Sequence, residues 1–329
     1  MGGAPLARGI LTGVTYALDK SAPVYVAGHR GLAGSAVWRE LQARGFGNLV
    51  GRSSSELDLR DRTATFAFFE QSRPRVAVIA AARVGGIIAN STYPVEFLSD
   101  NLRIQVNVLD AAHEFGVERL LFLGSSCIYP KFAEQPIRED SLLTGPLEPT
   151  NDAYAIAKIA GIMHIQAMRR EYGLPYISAM PTNLYGPNDN FDPLNSHVLP
   201  ALIRRFDEAR ASGAPSVTIF GTGRPRREFM HADDLARACL FLLENYDEPE
   251  PINIGTGTDV TISELAGLVA ETVGFTGTIE HDTTKPDGTP QKLLDVSRIN
   301  ALGWKAQIEL KDGLAATYEW FRSSGAVRR

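Results

Sequence analysis

Apolar residues fall into two alternating rhythms along the first half of the chain. The run Val24-Tyr25-Val26-Ala27 leads into a glycine-punctuated turn, and apolar positions then recur at Ala36, Val37, Leu41 and Ala43, which predicts a strand, a turn and an amphipathic helix. Apolar runs at 76–80, 120–123 and 176–180 predict further strands, and stretches of helical period at 95–115 and 155–170 lie between them. This alternation predicts an α/β fold with a Rossmann-type, doubly wound parallel sheet. Beyond Pro181 the rhythm breaks into stretches rich in Pro, Asn and Asp, such as Gly186-Pro187-Asn188-Asp189-Asn190, followed by a helix-like segment at 199–209. The expected organisation is an N-terminal extension at 1–22, a dinucleotide-binding domain at 23–182 and a smaller C-terminal α/β substrate domain at 183–329. That division is not clean, because Ile252-Asn253-Ile254 followed by Gly255-Thr256-Gly257 reads as a strand and turn returning to the first sheet.

Composition narrows the classes of function. A chain of 329 residues, 44% hydrophobic and 22% charged, has room for two packed units with a cleft between them. Its net charge of −5 is spread along the sequence without basic blocks, so no nucleic-acid partner is expected and an anionic ligand has to meet locally placed arginines. Two cysteines, Cys127 and Cys239, are too few for a disulfide framework. Cys239 stands in the apolar run 238–243 and is expected in the core. The first 22 residues lack the pattern of a secretory signal and are expected to lie outside the fold, and no segment approaches the roughly 20 apolar residues needed to cross a bilayer. No membrane association is expected, and the location implied is cytoplasmic.

Candidate chemistry appears at the turns. Gly28, Gly31 and Gly34, following the first strand, suit a tight turn, a pyrophosphate and close packing of helix on sheet, with Arg30 and Leu32 in the same turn. After the expected second strand, where an NAD enzyme offers a carboxylate to the ribose, stand Gly51-Arg52-Ser53-Ser54. A guanidinium there, with Arg30 as a second, favours the 2′-phosphate of NADP, although two solvated arginines would read the same way. Asp58 and Leu59 follow beside the expected adenine. Tyr154 and Lys158 lie ~6 Å apart along one face of a helix, so the ammonium can favour the phenolate. Ser125, at the end of the strand 120–123, reaches the carboxyl edge of the sheet, where ligands of such folds bind. Together these residues resemble the Ser–Tyr–Lys triad of the extended short-chain dehydrogenases/reductases.

Longer strings resemble one group within that superfamily, the GDP-L-fucose synthases. They are Gly28-His29-Arg30-Gly31, Ala80-Ala81-Ala82-Arg83-Val84-Gly85-Gly86, Leu123-Gly124-Ser125-Ser126-Cys127-Ile128-Tyr129-Pro130 and Tyr154-Ala155-Ile156-Ala157-Lys158. In the second half Pro181-Thr182-Asn183-Leu184-Tyr185-Gly186-Pro187, Asn195-Ser196-His197-Val198, Arg227-Glu228-Phe229 and Lys285-Pro286-Asp287-Gly288-Thr289-Pro290 continue the resemblance. It implies conversion of GDP-4-keto-6-deoxy-D-mannose to GDP-L-fucose by epimerisation at C3 and C5 and NADPH-dependent reduction at C4. By resemblance, Ser125, Tyr154 and Lys158 are the reductase residues, and Cys127 and His197 are the acid–base pair of epimerisation. Ala81, Asn183, Leu184 and His197 would lie along the cofactor, and Arg205, Phe220, Arg227 and Lys292 along the GDP-sugar. A homodimer is implied in the same way. On the residues alone, Cys127 reads rather as a buried strand-end residue and His197 as a helix-entry residue, and their assignment leans on the resemblance. Two other readings stay open: an NAD-dependent nucleotide-sugar epimerase or dehydratase, and a non-catalytic dinucleotide-binding protein.

Overall fold

The apolar runs become strands that are buried along their whole length, as a sheet covered on both faces requires. The computed structural model describes residues 15–193, 196–285 and 287–325. Its main sheet comprises β1 (Val24–Ala27), β2 (Leu49–Val50), β3 (Val76–Ile79), β4 (Arg119–Leu123), β5 (Tyr176–Pro181) and β6 (Ile252–Ile254). The strands are all parallel, in the order β6-β5-β4-β3-β1-β2. The chain leaves β1 to one side for β2 and to the other for β3, so the point where strand order reverses lies between β1 and β3. Ligands of open α/β sheets bind beyond the carboxyl ends of the strands at such a point.

Helices form where the sequence has a 3.6-residue apolar period. They include α1 (Leu32–Ala43), α2 (Arg62–Ser72), α3 (Pro94–Glu114) and α4 (Asp152–Tyr172). α1 packs with the helix Ala232–Asn245, whereas α2, α3 and α4 pack as a second group. A separate apolar core, around Tyr185, Leu199, Phe206, Leu265 and Phe321, supports the second unit. That unit carries the helices Val198–Ser212, Ile262–Val273 and Leu310–Ser323, together with short sheets. Among the described residues no helix is long and apolar enough to cross a membrane.

Residues 15–22 depart from the expectation that the first 22 lie outside the fold; residues 1–14 of that segment are outside the described residues. Tyr16 donates its hydroxyl to Asp247 Oδ2 at 2.5 Å, and its backbone N–H donates to the Glu244 carbonyl at 2.6 Å. The Arg119 guanidinium lies 4.2 Å from the Tyr16 ring centre. An aromatic ring with a polar tip can cover a buried arginine and still satisfy its hydroxyl, which a window of average hydropathy does not register. Tyr16→Ala is expected to destabilise the protein by ~1.5–3 kcal/mol, the range for a lost hydrogen bond to a charged group. An unchanged midpoint in urea unfolding would show that the segment does not brace the fold.

Candidate active site

At the nucleotide end, packing dictates the glycines. Gly28 closes β1 with φ +79°, and a Cβ there would stand 2.9 Å from the Ala81 backbone nitrogen after β3. A Cβ on Gly34 would meet the Gly28 carbonyl oxygen at 2.1 Å, so α1 can start tight against the turn only with glycine at that position. Gly31 donates its N–H to the Gly28 carbonyl at 3.0 Å and serves as N-cap. It supplies no side-chain acceptor, and no acidic residue stands in the first turn of α1, which begins at Leu32. The first-turn N–H groups and the positive end of the helix dipole are thereby suited to a pyrophosphate.

Two exposed arginines meet around the loop after β2. Arg52 donates Nη1–H to the Gly51 carbonyl at 2.9 Å, and its guanidinium sits 5.7 Å from the Phe68 ring. Arg30 stands 3.9 Å from the Glu56 carboxylate. Glu56 accepts from Ser53 Oγ at 2.5 Å and Ser53 N at 2.7 Å, and chiefly these bonds, with Arg30 and Arg52, hold its carboxyl below the usual range. Glu56 was not legible as part of this site, since nothing in the sequence distinguishes it from a solvated acid. Asp58 is occupied by Arg60 at 2.8 Å, and the Leu59 carbonyl accepts from Asn107 at 2.9 Å. The two guanidiniums suit an adenosine 2′-phosphate, with the Glu56 carboxylate held by Ser53 and beside Arg30. Arg52→Ala is expected to weaken NADPH binding about tenfold or more while barely changing NADH, as follows from losing one charge-assisted contact. Equal losses for both nucleotides in fluorescence titration would remove the phosphate role.

The candidate reductase groups gather at the carboxyl end of β4. A Cβ on Gly124 would stand 2.4 Å from the Met180 sulfur, so a larger residue here would have to displace the end of that buried side chain. Ser125 Oγ accepts the Cys127 N–H at 3.2 Å within the following 3₁₀ turn. On α4, Lys158 is buried and donates Nζ–H to the Leu123 carbonyl at 2.8 Å; burial pushes its pKa down to about 7. Its ammonium lies 5.9 Å from the Tyr154 ring. Tyr154 is half-buried, edge-on to Phe97 with ring centres 6.5 Å apart. Burial first and Cys127 second raise its phenol pKa, and a hydrogen bond with Ser125 opposes them. Ser125, Cys127, Tyr154 and Lys158 thus form one cluster.

The second unit carries the remaining candidates, of which Lys292 and Arg227 reach Cys127. His197 is the N-cap of the helix Val198–Ser212; the residue as a whole is exposed, and desolvation of its imidazole lowers the pKa. Strands Arg226–Arg227 and Gln291–Lys292 run parallel, with Arg227 directly beside Lys292. Lys292 Nζ donates to Cys127 Sγ at 3.7 Å. Arg227 donates Nη1–H to the Thr289 carbonyl at 2.6 Å; burial lowers its pKa, opposed by Cys127 and Glu148. Arg205 and exposed Phe220 form a separate pair, guanidinium to ring centre 5.5 Å, with Arg205 also donating to the Thr218 carbonyl. Asn183 Nδ2 donates to the Glu228 carbonyl at 2.8 Å, and Leu184 is half-buried against the main core. Glu228 is a further residue missed in the sequence. It is fully buried and its carboxylate accepts from the N–H groups of Thr256, Gly257 and Leu294 at 2.6, 2.8 and 3.0 Å, which locks the strand of Arg227 to that of Lys292. Asn195 and Pro286 of the sequence strings lie outside the described residues.

Residues 24–255 match the NAD dependent epimerase/dehydratase family. The chain is 60% identical to GDP-L-fucose synthase 1 of Arabidopsis thaliana over 303 residues, 92% of this chain and 94% of that one. It belongs to the GDP-L-fucose synthase group of that family. GDP-L-fucose synthase of Escherichia coli (strain K12) is 53% identical over 307 residues, 91% of this chain and 96% of that relative. A crystal structure of a GDP-L-fucose synthetase from Naegleria fowleri bound to NADP superposes with a TM-score of 0.87 at 30% identity, covering 94% of this chain and 97% of that one.

Proposed function

We propose that this protein converts GDP-4-keto-6-deoxy-D-mannose to GDP-L-fucose, epimerising C3 and C5 and reducing C4 with NADPH. The observation that carries the reading is the meeting of a thiol, Cys127, with Ser125, Tyr154 and Lys158 in one cluster, because a simple ketone reductase has no use for the thiol. The hydrogens at C3 and C5 flank the C4 ketone, so removing either one leaves an enolate centred on the same oxygen. Ser125 and Tyr154 hydrogen-bond that oxygen during both inversions. Cys127 and His197 exchange protons with the two faces of the sugar. NADPH, when bound, supplies the hydride that reduces C4; Tyr154 then delivers a proton to the oxygen, and Lys158 compensates the phenolate charge.

The geometry also supports a division of labour. Residues 23–182 and β6 hold the cofactor through the Gly28–Gly34 turn, Arg30 and Arg52, whereas 183–329 mainly hold the GDP-sugar. Asn183 and Leu184 border the nicotinamide, and Arg205, Phe220 and Arg227 border the nucleotide. Val106 of α3 and Ile156 and Met163 of α4 are exposed on two helices that pack together, which supports a homodimer formed through that pair. The unpaired thiols of Cys127 and Cys239 support a cytoplasmic location.

Incubation with GDP-4-keto-6-deoxymannose and NADPH tests the reading. Loss of NADPH absorbance together with L-fucose stereochemistry in the product is expected. No NADPH oxidation with this substrate overturns it.

A further inference from the structure

Lys292 was expected along the diphosphate, yet its ammonium donates to the Cys127 sulfur at 3.7 Å from a position 165 residues away. The strand that carries it is fixed on both sides. Gln291 Nε2 donates to Asp259 Oδ2 at 2.7 Å, and the Leu293 and Leu294 N–H groups donate to Gln135 Oε1 at 2.9 Å and Glu228 Oε2 at 3.0 Å. Glu148, the carboxylate lining the same pocket, is taken by Lys131 at 3.0 Å. The Lys292 charge is therefore directed at sulfur and not consumed by an acid. Arg227 adds a second cation acting on the same thiol, which also acts on the Tyr154 phenol, while Ser125 holds the Cys127 backbone N–H. A thiol among cations ionises more readily, and the thiolate is its proton-accepting form.

We infer that Lys292 is the charge partner of Cys127, holding its sulfur as thiolate before the sugar is deprotonated, and that this is its principal task in the reaction. The inference rests on the proposed role of Cys127 in epimerisation. In the step itself the thiolate takes the proton from the sugar carbon and becomes a thiol. The C–H electron pair moves into the enolate, and the negative charge passes to the C4 oxygen, where Tyr154 and Ser125 receive it. Lys292 keeps its protons throughout. It acts on sulfur, not on the sugar, and so is a positioning residue.

Alkylation of Cys127 by iodoacetamide, followed against pH in the full-length protein with Cys127→Ser as the blank for Cys239, reads the pairing directly. Lys292→Met is expected to slow alkylation at neutral pH at least about tenfold and to move the rate–pH midpoint upward, as expected on removing an adjacent ammonium, while Lys292→Arg keeps the wild-type profile. In turnover, Lys292→Met is expected to lower kcat for deuterium exchange at C3 and C5 with little change in KM for the GDP-sugar. An unchanged alkylation profile with a raised KM overturns the inference and returns Lys292 to the diphosphate. Should Lys292→Met not fold, Lys292→Gln takes its place in the same profile. A shifted profile alongside full deuterium exchange in Cys127→Ser supports the pairing and rejects the acid–base role of Cys127, so the two ideas fail separately.

Discussion

Cys127→Ser is expected to stop solvent exchange at C3 and C5 of the keto sugar while hydride transfer continues. The Cys127 contact with Ser125 runs through the backbone N–H, so the substitution leaves the 3₁₀ turn and the Ser125 hydroxyl in place. What it removes is a thiol, replaced by an alcohol that is a far poorer base near neutrality. In deuterium oxide the variant is expected to exchange about 10²–10⁴-fold more slowly than wild type, the scale of one lost acid–base group. With NADPH present, reduction then acts on an unepimerised ketone and gives a 6-deoxy sugar of the original configuration. His197→Asn should differ in kind, since a base without its opposite-face acid forms the enolate but returns the proton to the side it left. Exchange without inversion is the expected signature. L-Fucose stereochemistry at wild-type rates from both variants would place the epimerase groups elsewhere.

Tyr154→Phe should separate the chemistry at the other end. The ring, edge-on to Phe97, is kept and only the hydroxyl is lost, so NADPH binding is expected to be unchanged. Reduction at C4 is expected to fall about 10²–10⁴-fold for want of the proton donor. Exchange at C3 and C5 should also slow, because the enolate oxygen keeps only the Ser125 hydroxyl of the pair. Stopped-flow NADPH oxidation measures the first and mass spectrometry of the recovered sugar the second. Near-normal reduction would require a different donor to C4.

The fold was legible because a parallel sheet buried on both faces reads as unbroken apolar runs, and β1, β3, β4 and β5 are such runs. β2 is only two residues long and was located by the chemistry of Arg52 more than by its own pattern. The Gly28–Gly34 turn and the Tyr154–Lys158 pair were legible for a related reason, since each is a local spacing that chain geometry converts into a fixed arrangement. Glu56, Glu228 and Tyr16 were not. Glu228 gains its role from the N–H groups of Thr256 and Leu294, 28 and 66 residues further on, and Tyr16 from Asp247, 231 residues further on. A buried acid held by distant backbone donors and a surface acid held by water leave the same letter in the sequence.

The last strand of the main sheet has a consequence during synthesis. β5 ends at Pro181, and β6, which covers its outer edge, begins only at Ile252. At the ~5–20 residues per second of ribosomal elongation, the intervening stretch takes several seconds to appear. During that interval β5 presents unpaired N–H and C=O groups beside a core that still lacks Leu240, Ile254 and Leu294, the arrangement that recruits foreign strands. Synonymous codons that slow translation between 182 and 251 lengthen this exposure, so they should lower soluble yield without altering a single residue of the folded protein.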